Sequence, residues 1–316
     1  MLDVLRYVIN TGFAFSVLRV TTPILFAALA SVVAERSGAS NIALEGIMLF
    51  AALGGALGSA FAGGSVFWGF LAALACGLAV TLLLVYFGLY LKTDIILTGI
   101  ALNMLAAGGT VFVMYALTGD KGSTSALASA VFPAVELPVI GAIPVLGAIV
   151  SGQNLLTYAA FICVAAVWAL LYKTRLGLRL RAVGENAEAA ASVGISVIKT
   201  RFIALVISGL LASMGGMFLS MGYMNGFTKG MVSGRGFIAL AAAAMGQLSP
   251  VPAMLAALVF GFFDALSNLL AALRIPDEFV KMIPYLATVF GLVVFSAFRS
   301  WRLKQEKIKL LKEGLL

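Results

Sequence analysis

Val66–Leu91 reads VFWGFLAALACGLAVTLLLVYFGLYL and contains no charged residue. An apolar run of about 20 residues is long enough for an α-helix to cross the hydrocarbon core of a bilayer. The whole chain has this character, since 62% of its 316 residues are hydrophobic and 11% are charged. A soluble domain could not bury so much apolar surface. The sequence therefore predicts an all-α polytopic membrane protein.

Other apolar runs predict further spans, and their unbroken character excludes a β-barrel, whose strands alternate. The predicted spans are Phe13–Ala34, Ala43–Ala62, Val66–Leu91, Ile95–Leu117, Asn154–Tyr172, Phe202–Met224, Val251–Leu273 and Met282–Phe298. The run Gly236–Gly246 is about half as long as a span, so we expect a broken or re-entrant helix lined by protein or water. We predict about eight to ten transmembrane helices in a single transmembrane domain, residues 1–316.

Basic residues give the orientation of these spans. Lys and Arg cluster in a middle loop, residues 173–201, and in a tail, residues 299–316. The positive-inside rule places both clusters in the cytoplasm, and the weakly charged Thr118–Gln153 then lies outside. The net charge of +8 comes from such clusters. It therefore indicates membrane topology and predicts no nucleic-acid partner.

The reactive side chains argue against an enzyme. The chain has no histidine, and its two cysteines, Cys76 and Cys163, lie inside apolar runs without metal-ligand spacing. No nucleophile has a recognisable base, and we expect no metal and no cofactor. The phosphate-binding motif Gly-x-x-x-x-Gly-Lys-Ser/Thr is also absent from the sequence. Any use of ATP must therefore depend on a partner.

Polar residues inside apolar runs are candidates for a solute path. Ser40 or Asn41 is a candidate cap for a new helix, which would place Asn41 and Glu45 one turn apart on one face. A carboxylate in the membrane costs about 2.5–3.5 kcal/mol, and Arg19 is a candidate counter-ion for Glu45. We predict a hydrated path lined by Asn41, Glu45, Asn103, Asp264 and Asn268. The alternative is that these side chains only fasten helices through hydrogen bonds.

An internal echo points to two related halves. Ile42-Ala-Leu44 and Ile238-Ala-Leu240 each follow a polar, Gly-rich lead and open a helix rich in small residues. Transporters with internal repeats often build their central site from paired discontinuous helices. The echo suggests an internal repeat of this kind.

Arg181–Ser196 reads RAVGENAEAAASVGIS and is a long non-apolar stretch between two spans. Asn186 is a good N-cap and Gly194 a good residue just beyond a C-terminus, which predicts a helix over Ala187–Val193. So short a helix is unstable alone in water and must be held by packing. Two readings stay open: it inserts into a groove of another protein, or it lies against its own bundle.

Several motifs together resemble the permease subunits of bacterial ABC importers for simple sugars and nucleosides, in the branched-chain amino acid/ribose-type superfamily. The first is Arg181-Ala-Val-Gly-Glu-Asn-x-x-Ala-Ala…Gly194-Ile, followed by Ser208-Gly-Leu-Leu-Ala212. Glu35-Arg-Ser-Gly-x-x-Asn41-Ile-x-Leu-Glu-Gly46 and Gly234-x-Gly-Phe-Ile-Ala-Leu240 with Pro250 are similar to the nucleoside branch. The resemblance covers roughly residues 20–300. One departure is Gln247, where the pattern Gly-Gly-x-x-Pro has its second glycine.

The resemblance implies how the chain works. In this family the segment around Ala187–Val193 is the coupling helix, and residues 173–201 form the cytoplasmic coupling loop that contacts the ATPase. The residues implied in coupling are Arg181, Gly184, Glu185, Asn186, Ala189, Ala190 and Gly194.

The implied partners are a cytoplasmic ATPase, a second homologous permease in a heterodimer, and an extracytoplasmic substrate-binding lipoprotein. We expect a multi-pass protein of the bacterial cytoplasmic membrane that moves a nucleoside or simple sugar by alternating access. The alternative is a self-sufficient, proton-coupled transporter that uses Glu45 and Asp264 as proton carriers.

Overall fold

The computed structural model describes residues 10–138, 143, 145–271, 282, 286–291, 293 and 297. Most of the predicted span Met282–Phe298 and all of the basic tail 299–316 lie outside the described residues. The helices are α1 (Thr11–Glu35), α2 (Leu44–Phe61), α3 (Val66–Val85), α4 (Ile95–Thr118), α5 (Leu146–Val150), α6 (Leu155–Lys173), α7 (Arg175–Glu185), α8 (Ala187–Ser192), α9 (Val197–Phe218), α10 (Arg235–Met245) and α11 (Pro250–Ala271).

Within these described residues, seven helices are long and apolar enough to cross a membrane. They are α1, α2, α3, α4, α6, α9 and α11, and their bounds confirm the predicted spans to within a few residues. α3 and α9 each continue into one π-helical turn, Tyr86–Tyr90 and Leu219–Tyr223. Polar side chains start several of them: Asp94, for example, accepts hydrogen bonds from Ile96 N and Leu97 N and so caps α4.

α1 is the central helix of the bundle. Every residue from Val20 to Ala34 is buried, and α2, α6, α9, α10 and α11 all contact this helix. Glycines allow the backbones of neighbouring helices to approach closely, because a Cβ atom at Gly216 of α9 would overlap the Met48 carbonyl of α2. A small residue therefore sets the spacing of α2 and α9 at this contact.

The two ends of the bundle are distinct. α6 runs from Leu155 to Lys173, and α9 returns after the α7–α8 loop, so residues 173–201 lie at one end. The positive-inside rule predicts that this end is cytoplasmic, and it is called the cytoplasmic end below. The opposite, outer end carries residues 119–138 and 145–154, where β1 (Ala134–Val135) pairs antiparallel with β2 (Gln153–Asn154). An isolated bridge joins Ser123 to Thr228 at this outer end.

Two elements are discontinuous. A non-helical stretch, residues 36–43, separates α1 from α2 and is here called the connector. α10 has 11 residues and confirms the predicted half-length helix. It is about 16 Å long, about half of a bilayer core, so its first residue lies near mid-membrane when its last lies at the cytoplasmic end.

The predicted cap of α2 is wrong. α2 begins at Leu44 with Ala43 at the N-cap position, and Ala43 provides no side-chain hydrogen bond. Asn41 therefore lies outside the helix and does not share a helical face with Glu45. Ser40 does not cap α2 either. Asn103 of α4 accepts the hydrogen bond of Gly46 N instead.

Candidate functional site

The Glu45 carboxylate binds the start of the half-helix α10. Its Oε1 accepts a hydrogen bond from Gly234 N at 2.8 Å, and its Oε2 accepts one from Gly236 N at 2.9 Å. Gly236 is required at this contact, since a Cβ atom there would lie 2.6 Å from Glu45 N. The N-terminus of a helix favours a negative charge because its N–H groups are unpaired and its dipole is positive there. The hydrogen-bond donors to Glu45 are therefore backbone N–H groups at the start of α10.

Arg19 is not the counter-ion of Glu45, so that expectation is wrong. Its Nη2 donates to the Tyr223 carbonyl at 2.7 Å, and its guanidinium carbon lies 4.6 Å from the centre of the Tyr223 ring. Arg19 belongs to the outer half of α1, whereas the two backbone N–H groups at α10 already satisfy Glu45. Local spacing along the chain could not show this choice of partners.

Asp264 forms an ion pair with Arg235, the first residue of α10. Both Nε and Nη2 of Arg235 lie 2.9 Å from Asp264 Oδ2, and the two side chains are 14% and 11% exposed. Arg235 Nη1 also donates to the carbonyls of Met231 and Val232. Arg235 was not among the predicted site residues. Its position in Ser233-Gly-Arg-Gly236, directly before a half-length apolar run, could have indicated a charge at the start of a helix inside the membrane.

Asn103 of α4 makes two hydrogen bonds to the backbone at the start of α2. Its Oδ1 accepts a hydrogen bond from Gly46 N, and its Nδ2 donates to the Ile42 carbonyl, both at 2.8 Å. Asn41 Nδ2 donates to Ser208 Oγ at 2.9 Å, while the buried Asn41 Oδ1 has no hydrogen-bond partner in the described part of the chain. Both amides therefore fasten the break between α1 and α2.

Four of the five predicted path residues thus bind at the break between α1 and α2 or at the start of α10. Asn41, Glu45 and Asn103 belong to or contact the break between α1 and α2, and Asp264 joins them through Arg235. The two segments of the internal echo also meet here, because Gly236 packs against Glu45. We call Glu45, Arg235, Asp264 and the start of α10 the mid-membrane cluster.

Asn268 lies apart from this cluster, in a cleft at the outer end. The cleft has a volume of about 440 Å³. Its polar lining residues are Asn10, Ser16, Arg19, Tyr223 and Asn268. None of the described lining residues is acidic. The other lining residues are apolar: Gly12, Phe13, Val20, Ala265 and Leu269.

A narrow gap separates this outer cleft from the mid-membrane cluster. Arg19 and Tyr223 line it from above, and Arg235 lines it from below. The gap is too small to hold a water molecule. Arg19 and Tyr223 therefore line both the cleft and the gap.

The predicted coupling loop, residues 173–201 and here called the coupling segment, has the local structure expected around α8. Asn186 Oδ1 accepts a hydrogen bond from Ala189 N at 2.9 Å, and Gly194 adopts a φ of +84°, so both predicted ends are confirmed. α8 ends at Ser192, one residue before the predicted Val193. Ala190 faces its own bundle and is buried, whereas Val193 is 75% exposed. Glu185 and Ala189 are exposed as well.

Two predicted coupling residues face the bundle. The guanidinium carbon of Arg181 lies 5.1 Å from the centre of the Tyr172 ring of α6. Gly184 packs directly on the connector, because a Cβ atom there would overlap the Arg36 carbonyl oxygen. Arg36 was not among the predicted site residues, although it lies in the motif that begins at Glu35. These contacts join the coupling segment to the connector.

The chain is similar to known transport proteins over most of its length. The family described as "Branched-chain amino acid transport system / permease component" matches residues 13–295. The guanosine ABC transporter permease protein NupQ of Bacillus subtilis is 38% identical, with 86% of this chain and 88% of that protein covered. The nucleoside ABC transporter permease protein NupC of Lactococcus lactis is 32% identical, with 87% and 89% covered.

Solved structures show the same fold at low sequence identity. PsaBC from Streptococcus pneumoniae in complex with Fab matches with a TM-score of 0.52 and 13% identity, covering 93% of this chain and 95% of that chain. A transporter assigned to the metal-chelate ABC type, in an inward-facing conformation, matches with a TM-score of 0.51 and 18% identity, covering 89% and 88%. The chain therefore belongs to the family of branched-chain amino acid transport system permease components and is a multi-pass membrane permease.

Proposed function

We propose that this permease imports nucleosides as the membrane-spanning part of an ABC transporter. The observation that carries the substrate class is its similarity to the guanosine permease of B. subtilis and the nucleoside permease of L. lactis, each over more than four-fifths of this chain. A simple sugar is the second candidate, because TsgC13 of Haloferax volcanii, named as a glucose permease, is 32% identical over 81% of this chain.

The chemistry of the outer cleft supports a neutral, hydroxyl-rich solute. Amide groups from Asn10 and Asn268 and the hydroxyl of Ser16 offer both donors and acceptors, which a ribose and a nucleobase can use. Tyr223 adds an aromatic ring on which a base can stack. In our proposal the solute enters here and is stopped by the Arg19–Tyr223 contact.

Passage requires the route below the cleft to open. The mid-membrane cluster lies directly beneath Arg19 and Tyr223, and each of its charges is held by a specific partner. In the proposal, a shift of α10 separates Arg235 from the base of the cleft and exposes Glu45 and Asp264 to the solute. Asn41 and Asn103 tie the start of α2 to the neighbouring helices α9 and α4.

Energy is proposed to arrive from a cytoplasmic ATPase at α8. Ala189, Ala191 and Val193 leave a small apolar surface exposed at the cytoplasmic end, which is a surface suited to a protein groove. Asn186 and Gly194 fix the two ends of this short helix. The ATPase thereby receives a pre-formed contact surface.

The proposed assembly contains a second, different permease. B. subtilis and L. lactis each contribute two relatives of this chain, NupQ with NupP and NupC with NupB. An extracytoplasmic substrate-binding lipoprotein is proposed to deliver the solute to the outer cleft. The entire chain, residues 1–316, acts as one permease domain in this scheme.

The proton-coupled alternative is not favoured by the contacts of its proposed carriers. A proton carrier must be released from its partners in each cycle. Glu45 instead accepts two backbone hydrogen bonds, and Asp264 is paired with Arg235. Both carboxylates are therefore better suited to hold helices than to carry protons.

Uptake competition tests the substrate class. A strain deleted for this chain and complemented with it is given labelled guanosine in the presence of excess unlabelled uridine, adenosine, glucose or ribose. We expect nucleosides to compete and the sugars not to compete. Competition by glucose alone would replace the nucleoside assignment with the sugar alternative.

A further inference from the structure

Arg36 holds the turn that follows the half-helix α10. Its Nε donates to the Leu248 carbonyl at 2.7 Å, and its Nη2 donates to the Gln247 carbonyl at 3.2 Å. Gln247 and Leu248 have φ values of +50° and +55°, a left-handed conformation that is uncommon outside glycine. Such strain persists only where the surroundings impose it and is often found at functional positions. Arg36 is part of those surroundings.

The start of α10 is bound by Glu45, which follows Arg36 closely in the chain. Glu45 accepts the hydrogen bonds of Gly234 N and Gly236 N at the helix start, while Arg36 binds the carbonyls just beyond the helix end. Each charge is complementary to the helix dipole at its end. Residues 36 to 45, which comprise the connector and the start of α2, therefore bind both ends of α10.

The middle of the connector packs against the coupling segment. A Cβ atom at Gly38, which has a φ of +71°, would lie 3.4 Å from Gly184 Cα. Arg201 Nε, at the start of α9, donates to the Ser37 carbonyl at 3.3 Å. Because Gly184 also packs on the Arg36 carbonyl, these backbones have no free space between them. Displacement of α7 and α8 must therefore displace the connector.

Arg36 has contacts that a simple topology anchor does not need. A basic residue at a membrane end satisfies the positive-inside rule without binding any particular carbonyl. Arg36 instead binds two carbonyls of a strained turn more than 200 residues away in sequence. It does not line the outer cleft, so solute binding does not explain it.

We propose that Arg36 is a positioning residue for transport. It transmits movement of the coupling segment to α10, and α10 carries that movement to Glu45 and the Arg235–Asp264 pair at mid-membrane. This inference rests on the proposed function in one respect, that an ATPase moves α8. It does not depend on the identity of the solute.

The first test measures uptake and ATP hydrolysis in the same proteoliposomes, containing the full complex with wild-type permease or Arg36→Gln. We expect Arg36→Gln to raise the ATP hydrolysed per solute by about tenfold or more, because charge-assisted hydrogen bonds are lost. Arg36→Lys should recover part of the coupling, since an ammonium can still donate to a carbonyl. Lys92→Gln, which removes an exposed cation before α4, is the matched control.

The second test needs no transported solute. Hydrogen exchange at the amides of Gly234 and Gly236 is compared between nucleotide-free and vanadate-trapped complexes. We expect a nucleotide-dependent change in the wild type and in Lys92→Gln that is lost in Arg36→Gln. An equal change in Arg36→Gln, or no change in the wild type, would overturn the inference. If the expected pattern occurs but no nucleoside is imported, the substrate proposal fails and the inference stands.

A variant that does not assemble is covered by a second substitution. Gly38→Ala leaves Arg36 in place but strains the connector backbone beside Gly184, because an alanine rarely adopts the φ of +71° found there. It should show the same rise in ATP hydrolysed per solute if Arg36→Gln cannot be prepared. Wild-type coupling in Gly38→Ala would then contradict the inference.

Discussion

Glu45 binds the backbone of Gly234 across the bundle, with its Oε1 2.8 Å from the amide nitrogen although the two residues are 189 positions apart. This contact joins the break after α1 to the start of the half-helix α10. It places a carboxylate near mid-membrane, where the unpaired amides of a helix N-terminus bind it. The two discontinuous elements of the fold therefore form one unit.

Replacing Glu45 tests that unit. Glu45→Ala leaves the amides of Gly234 and Gly236 without their acceptor, and each unpaired buried amide costs about 1–3 kcal/mol. We expect uptake to fall by about tenfold or more while the permease still inserts and binds its partners. The measurement is labelled solute uptake normalised to assembled complex. Glu136→Ala, in the exposed outer loop, is the control, and normal uptake by Glu45→Ala would assign Glu45 no function in transport.

Gly184→Ala tests the contact between the coupling segment and the connector. The new methyl group would overlap the Arg36 carbonyl oxygen, so the two backbones must separate. We expect solute-stimulated ATP hydrolysis to be lost while membrane insertion is retained. Gly108→Ala makes the same change on α4, where nothing lies within 4 Å, and should behave as wild type. Unaltered stimulation in Gly184→Ala would refute the contact's importance.

The Arg235–Asp264 pair separates a fastening role from a path role. Either single change, Arg235→Met or Asp264→Leu, leaves a partly buried charge unpaired and should destabilise the permease by about 3–5 kcal/mol. The double variant should regain most of the thermal stability, since both charges are removed. We expect its uptake to remain low, because the solute loses polar groups at mid-membrane. Full recovery of uptake would show that the pair only fastens α10 to α11.

The left-handed turn after α10 gives a stability prediction. Gln247 occupies the second glycine position of the related pattern Gly-Gly-x-x-Pro and has a φ of +50°. A left-handed conformation costs a non-glycine residue roughly 1–2 kcal/mol, so Gln247→Gly should raise the thermal unfolding temperature of the purified permease. Gln247→Ala keeps a Cβ atom and should give no such rise. An equal effect of both substitutions would exclude backbone strain as the cause.

The sequence predicts the parts of this fold that depend on local chemistry. The apolar runs give the bounds of the described spans, the length of Gly236–Gly246 gives the half-helix, and Asn186 and Gly194 give the ends of α8. Each of these depends on neighbouring residues, through hydrophobic length or through capping. The partners of charged groups do not. Arg19 could not be matched with Tyr223 from spacing along the chain, because no periodicity encodes contacts across the bundle.

The candidate site is recovered in part for the same reason. Glu45 and Asp264 are conspicuous because carboxylates are expensive in a membrane. Asn41 resembles a helix cap, but Asn103 of a different helix closes the start of α2. In the sequence, Arg36 and Arg235 resemble basic residues that only set membrane topology. Their specific partners become apparent only from contacts between different helices. The role of the predicted coupling residues remains a proposal. The capping contacts of Asn186 and Gly194 define the ends of α8 but do not identify a partner protein.

ATP-driven uptake by the reconstituted complex tests the central claim most directly. Proteoliposomes containing this permease, its second permease and the ATPase are given binding protein and labelled guanosine, with or without internal ATP and an uncoupler. We predict uptake that requires ATP, ceases with a hydrolysis-deficient ATPase and is unaffected by the uncoupler. Uptake that persists without ATP and is abolished by the uncoupler would contradict the account and establish proton coupling instead.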